Sequence, residues 1–403
     1  MSNYQSPGVY VEETSSGAKP IAGVGTSVAA FIGFAQKLDP QTKQPLSEEK
    51  QVPVNQPTLI TNWTQFVNQF GDLNPDYLLG FAVYGFFAEG GTTCYVVRVA
   101  EPAKETDPAK ETAPAEDTVP DYQAALDALD TVDTINMAAI PDCQGERSTM
   151  LAGFNYCSGR KDCIFIADTP VGLTPAQVLQ YKKAEGEFTG NAFNTSYGAL
   201  YYPWVYMTNP ATGDKILVPP SGVVAGTYAY TDAVRGVHKA PAGISEGYLD
   251  SVTGLEQIVT PGEQDQLNPE GINVIRSLPS GICIWGARTL SVDSEWRYVN
   301  VRRLFMFIEE SIDEGTQWVV FEPNSPTLWG SVKRNITAFL TRVWRDGALY
   351  GSTPDEAFYV KVDEENNPAE TRDAGELHIE VGVAPVKPAE FVVISICQKT
   401  LGN

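Results

Sequence analysis

Basic residues are scarce in this chain: 28 Lys and Arg stand against 50 Asp and Glu, for a formal net charge of −22 with only two histidines. Phosphate-backbone affinity rests on clustered cations, so this balance excludes a general nucleic-acid binder. No apolar run reaches the roughly 18 residues that span a bilayer. The opening Met1-Ser2-Asn3-Tyr4-Gln5-Ser6-Pro7 lacks the basic and apolar stretches of a secretory leader, so assembly in the cytosol is expected. The six cysteines, Cys94, Cys143, Cys157, Cys163, Cys283 and Cys397, form no C-x-x-C pair. They read as reduced, buried small hydrophobes in preference to disulfides. A zinc site on Cys143, Cys157 and Cys163 would need an unusual spacing, with only His238 and His378 to complete it. No Gly-Lys-Ser/Thr follows Gly23-Val24-Gly25, which argues against a phosphate loop. Two histidines far apart give little support for Ser-His-Asp catalysis. Glu309-Glu310 and Asp313-Glu314 read as helix solvation rather than an acid–base pair. Neither an enzyme nor a cofactor or metal site is expected.

What is present is a globular composition, 43% hydrophobic and 10% aromatic over 403 residues, enough for two domains or one large α/β domain. The charge is uneven: ten acidic residues and two lysines lie between Glu101 and Asp133, while Gly271–Tyr350 carries nine basic and eight acidic residues. Glu101–Pro120 is a low-complexity stretch without core residues and is predicted as an exposed loop. Helices are predicted at Trp63–Phe70, Asp76–Glu89, Glu295–Glu314 (stopped by Gly315) and Pro326–Asp346, the last with Ser325 as its N-cap. Strands are predicted within Ile21–Phe34 and at Thr93–Val99, Ile135–Ile140, Cys163–Ala167, Tyr201–Met207, Gly281–Trp285, Gln317–Phe321, Leu377–Val383 and Phe391–Ile396. Pro261–Pro269 reads as a polar connector. The alternation between Tyr122 and Lys183 points to parallel pairing in an α/β unit. From composition alone, Met1–Pro20 is a frayed tail or an arm that docks elsewhere, with the tail favoured.

A series of blocks, in order along nearly the whole chain, resembles the tail sheath family of contractile phages, R-type pyocins and extracellular contractile injection systems. They are Pro7-Gly-Val-Tyr-Val-Glu-Glu13, Ile21-Ala-Gly-Val-Gly-Thr-Ser-Val-Ala-Ala-Phe-Ile-Gly33, Ala199-Leu-Tyr-Tyr-Pro-Trp204, Val218-Pro-Pro-Ser-Gly222 and Gly236-Val-His-Lys-Ala-Pro241. Trp285-Gly-Ala-Arg-Thr-Leu290, Trp296-Arg-Tyr-Val-Asn-Val-Arg-Arg303, Trp344-Arg-Asp-Gly-Ala-Leu349 and Glu380-Val-Gly-Val-Ala-Pro-Val386 complete the series.

The resemblance implies a mixed α/β fold whose first and last thirds make an inner domain (21–92 and 268–390) against a central tube. Residues 93–267 are inserted as an outer domain that carries the acidic loop 101–120. Both chain ends, 1–20 and 391–403, become extended β arms that link neighbouring subunits, which overturns the frayed-tail reading. The β-prone residues of those arms are Val9, Tyr10, Val11 and Glu12, and Val392, Val393, Ile394, Ser395 and Ile396. The expected receiving strand is Leu377, Ile379, Val381 and Val383, since adding a strand to a neighbour's sheet edge holds through main-chain hydrogen bonds while a linker bends. On the helix from Pro326, Val332, Ile336, Phe339 and Val343 share one face. Lys333, Arg334, Arg342 and Arg345 are expected to face the tube, a basic arc in an acidic chain suiting an acidic partner. The implied function is a structural subunit that polymerises around an inner tube and contracts to drive it through a target cell envelope. Its partners would be further copies of itself, the tube protein, and baseplate and cap proteins, with no nucleic acid and no membrane insertion. The place implied is a phage tail or tail-like particle assembled in the bacterial cytoplasm, then released or anchored at a membrane. The alternatives are a cap- or baseplate-proximal paralogue of the same machine and an α/β enzyme with an acidic surface.

Overall fold

The structure is a computed structural model that describes residues 20–39, 42, 44–100 and 122–391. The chain divides into two compact units: Val24–Glu310 with 385–391, and 20–23 with Ser311–Ala384.

The larger unit is built on an eight-stranded sheet. Its first strands are β1 (Ala29–Gly33), β2 (Thr58–Ile60), β3 (Cys94–Arg98), β4 (Met137–Ala139), β5 (Ile164–Asp168) and β6 (Gly198–Tyr202). A separate three-stranded sheet follows, made of β7 (Val205–Thr208), β8 (Lys215–Val218) and β9 (Val252–Leu255). The chain then returns to the main sheet with β10 (Ile272–Leu278) and β11 (Gly281–Ile284), giving the order β11-β10-β6-β5-β4-β1-β3-β2. The six inner strands run parallel, and the edges β2 and β11 are antiparallel.

Helices α1 (Trp63–Phe70), α2 (Leu79–Ala88), α3 (Tyr122–Ala128), α4 (Arg147–Arg160), α5 (Pro175–Lys183), α6 (Ser221–Arg235) and α7 (Pro261–Leu267) fill the connections. Parallel sheets need both faces covered, and this one has both. Ala29 and Phe31 of β1 pack with Phe81, Phe86, Val223 and Tyr228, whereas Ala30 and Ile32 join Leu126, Met150 and Tyr181 on the other face. That two-sided burial is why Ala29-Ala30-Phe31-Ile32 reads as an unbroken apolar run.

Local chemistry sets the helix ends. Asn62 accepts from the Gln65 N–H at the start of α1, and Gly71, at φ 101°, ends it. Thr174 and Thr260 open α5 and α7 with reciprocal capping boxes, each with proline in the first turn. The expected connector at 261–269 is therefore α7 followed by a 3₁₀ turn, Asn268–Glu270.

Three further expectations are corrected. Tyr201–Met207 is split between two sheets, because Pro203 has no N–H with which to continue a ladder. The helix expected at Glu295–Glu314 is α8 (Val299–Thr316), whose start is delayed by a bridge between Arg288 and Tyr298. Gly315 lies inside its last turn rather than beyond it, where a Cβ would come within 2.6 Å of Ile21. The strand expected at Gln317–Phe321 is a 3₁₀ turn, Gln317–Val319, after which Phe321 adopts left-handed backbone at φ 71° with its ring fully exposed.

The smaller unit continues with α9 (Pro326–Arg345), α10 (Pro354–Ala357), β12 (Phe358–Lys361), α11 (Ala369–Asp373) and β13 (Glu380–Val383). Val332, Ile336, Phe339, Leu340 and Val343 of α9 are buried, as are Phe358, Val360 and Val362 at β12. The expected boundaries at 92/93 and 267/268 do not coincide with the units. β1, from the expected inner segment, hydrogen-bonds β3 and β4, both from the expected outer one. The units divide instead at 23/24, 310/311 and 384/385, the second of these inside α8.

Candidate assembly surfaces

The first surface is the outer face of α9. Seven buried residues form one stripe, Leu328, Trp329, Val332, Ile336, Phe339, Leu340 and Val343. With the stripe buried, the 100° step of a helix leaves Lys333, Arg334, Arg342 and Arg345 on the exposed side, and all four are exposed. They are not equivalent. Arg342 donates to the carbonyl of Ile21, so it holds the chain where the described structure begins. Arg334 donates to Ser331 Oγ on its own helix at 3.0 Å. Lys333, Arg334 and Arg345 are the members of the set available to a partner.

The second surface is the edge of a two-stranded sheet. β12 and β13 pair antiparallel, with Val360 opposite Val381 and Phe358 opposite Val383, and form a sheet of their own among the described residues. Ala384 donates to the Ala357 carbonyl at 2.8 Å. Antiparallel ladders alternate, so Glu380 and Gly382 turn their amides toward β12 while Val381 and Val383 present theirs to the open edge. Two strands alone are marginal, and an open edge is a template for a third. Of the expected receiving strand, Val381 and Val383 lie in β13, whereas Leu377 and Ile379 precede it. The reason is local: Asn367 accepts from the His378 N–H at 2.7 Å and donates back to the His378 carbonyl at 2.9 Å, replacing ladder bonds with side-chain bonds. The arm residues Val9, Tyr10, Val11, Glu12, Val392, Val393, Ile394, Ser395 and Ile396 lie outside the described residues, as does the loop 101–120.

A third region lies where ligands bind in other α/β folds. Parallel sheets with this strand order bind them outside the carboxyl ends of the strands, at the point where the order reverses. Here that point lies between β1 and β4, and the side chain of Asp142 fills it. Its Oδ2 accepts from the Phe34 and Leu79 N–H groups at 2.7 and 3.2 Å, and its Oδ1 accepts from the Leu78 N–H at 2.6 Å. Burial pushes the carboxyl up to about 7, while the three N–H donors pull it down. A Cβ on Gly33 would come within 2.1 Å of Oδ2, so glycine makes room for this carboxylate as it would for a phosphate oxygen. No sequence signal marked Asp142, because its partners lie 63 to 108 residues away. Cys94, Cys143, Cys157, Cys163 and Cys283 are buried free thiols. Among the described residues no group of three or more His, Cys, Asp or Glu is placed to hold a metal. No helix among them is long and apolar enough to cross a membrane.

Two family models match in succession: the phage tail sheath protein central domain over residues 115–290 and the phage tail sheath C-terminal domain over 291–399. The chain belongs to the phage tail sheath family. The sheath protein is similar over 98% of its length to the helical sheath of the anti-feeding prophage in its contracted state, at 31% identity and a TM-score of 0.73, and covers 100% of that chain. It is similar to the sheath complex of an extracellular contractile injection system, PVC, also contracted, at 28% identity, a TM-score of 0.75 and 99% coverage of both chains. It is 27% identical over 252 residues to the tail sheath protein of Vibrio phage KVP40, a match covering 59% of the sheath protein and 37% of that relative's length. The mixed α/β fold and the structural class expected from the sequence are those of this family.

Proposed function

We propose that the sheath protein polymerises into a helical sheath around an inner tube, and that contraction of this sheath drives the tube through a target envelope. The arms 1–20 and 391–403 each add a strand to the β12–β13 sheet of a neighbouring copy. The observation that carries this reading is the open edge of β13, where Val381 and Val383 offer main-chain groups that are unpaired among the described residues, in a two-stranded sheet. Each added bond contributes roughly 0.5–1.5 kcal/mol net, so one arm is a modest latch and a lattice of them is strong. The smaller unit meets the tube through the basic face of α9, and the acidic segment around 101–120 projects outward. The likeness to two contracted sheaths supports a structural rather than enzymatic role. Particle assembly in the cytoplasm, with baseplate and cap proteins as further partners, belongs to the same proposal.

Electron microscopy of the purified chain tests the arms. Deleting residues 1–17, or everything after Glu390, gives a folded, soluble monomer that forms no tubes. Val381→Pro removes one outward donor while leaving the bonds to β12, and shortens tubes at unchanged monomer stability. Tubes of normal length from either truncation would overturn the reading.

A further inference from the structure

The last described stretch of chain, 385–391, belongs to the larger unit, and Glu390 is the final residue before the arm expected at 391–403. Its carboxylate is held on all sides. Arg288 grips it through two parallel bonds, Nε to Oε1 at 2.9 Å and Nη2 to Oε2 at 2.6 Å. Asn268 donates to Oε1 at 2.7 Å and the Tyr298 hydroxyl to Oε2 at 3.1 Å. The guanidinium is fixed in turn: Arg288 Nη1 donates to the Asn268 carbonyl at 3.0 Å, and its backbone exchanges two bonds of 2.7 Å with the buried side chain of Asn273 on β10. Arg288 is 9% exposed at the side chain and Glu390 19%. One residue later Phe391 is 73% exposed.

The same construction stands near the other end. Asp232 on α6 and Arg303 on α8 pair through two bonds of 2.9 and 2.6 Å, with side chains 3% and 2% exposed. Thr26 Oγ1 donates to Asp232 at 2.6 Å, and Arg303 donates to the Thr26 carbonyl at 2.8 Å, so the pair binds chain that follows the N-terminal arm. A surface ion pair would contribute little and give way in salt. Two-pronged Arg–carboxylate pairs with fixed partners are stronger and directional.

We infer that the Arg288–Glu390 pair is the anchor of the C-terminal arm, fixing where the arm leaves the larger unit and bearing the pull of the neighbour that holds it. This rests on the arm reading above. The larger unit, which holds the anchor, then need not deform when neighbours rotate. Arg288 and Glu390 are positioning residues: they act on linkage between copies beyond what they add to the stability of one copy.

The test compares full-length Glu390→Ala, Glu390→Gln and Arg288→Met, the charge-exchanged pair Arg288→Glu/Glu390→Arg, and the chain truncated after Glu390. Three readouts are taken: monomer melting, sheath length by electron microscopy, and the urea concentration at which contracted sheaths fall apart. The single variants lower monomer melting, because each leaves a buried charge or its donors unpaired, yet they weaken each link by a further factor of roughly ten, the equivalent of about 1.4 kcal/mol, so sheaths are shorter and dissociate at lower urea than the loss of monomer stability accounts for. The charge-exchanged pair recovers length and urea resistance in part. Single variants with wild-type sheaths, beside a truncated chain that cannot polymerise, would overturn the anchor and leave the arm reading standing. A truncated chain that polymerises normally would overturn the arm reading itself. Monomer melting that falls in step with sheath stability, without rescue in the exchanged pair, would reduce the pair to a structural contact.

Discussion

Two buried aspartates show how far single residues escape a reading of the sequence. Asp142 and Asp168 each end a parallel strand or its turn, and each binds the start of a helix from far along the chain. Asp168, fully buried, accepts from the Ser221 N–H at 2.8 Å at the start of α6, while its Oδ2 has no partner among the described residues. Burial raises its carboxyl to about 7, with Ser221 pulling the other way. An unfolded aspartate titrates near about 3.9. Below about pH 4 both states hold the proton and the folded state has its full stability. Between about 4 and 7 the unfolded chain releases the proton first, so stability falls by about 1.4 kcal/mol for each pH unit, and the loss levels off above about 7. Asp168→Asn is therefore expected to remove about one proton's worth of this slope. Urea unfolding of the monomer at pH 5 and pH 8 checks it: the wild type loses more stability between the two than the variant does. An equal loss in both would contradict the assignment. Periodicity sees residues three, four or two apart, and neither aspartate has a partner at such a distance.

At the scale of elements, strong local signals survived and context-dependent ones did not. α1 begins and ends where its asparagine and glycine put it, and the apolar stripe of α9 is buried as its period requires. β-propensity misled at Val319-Val320-Phe321, where α8 runs on into a 3₁₀ turn, and at Leu377 and Ile379, where Asn367 takes the main-chain bonds. The capping box at Thr260 and Glu263 was present in the sequence, hidden by the flanking prolines. The exposed arc of α9 was legible, but the bond from Arg342 to Ile21 was not, and it changes the experiment. Lys333, Arg334 and Arg345 are reversed to Glu while Arg342 is kept. Monomer stability should move by no more than about 0.5 kcal/mol, while the yield of extended sheath assembled on tubes drops and contracted sheath forms as before. Raising the salt should mimic the substitutions where the contact is hydrated. Equal yields of extended particles from variant and wild type would show this face to be merely solvated.

For the whole molecule, family membership and the mixed α/β class were legible because the resembling blocks run through the full chain. The division into units was not. The resemblance implied a break at 92/93, whereas hydrogen bonding places β1 between β3 and β4, and a sheet cannot be parted between neighbouring strands without stranding its main-chain groups. The acidic segment remains separable on composition: removing Ala103–Thr118 is expected to leave assembly and contraction intact, because it contains no core residue. Sheath length and contracted fraction by electron microscopy check this, and loss of folding on deletion would show the segment to be structural.

The carboxylate that fills the crevice between β1 and β4 has one more consequence. A diffusible ligand occupies its site according to its concentration, whereas a side chain tethered to the same backbone is present at an effective concentration set by the chain alone. A sheet completed by Asp142 is thus indifferent to metabolite supply.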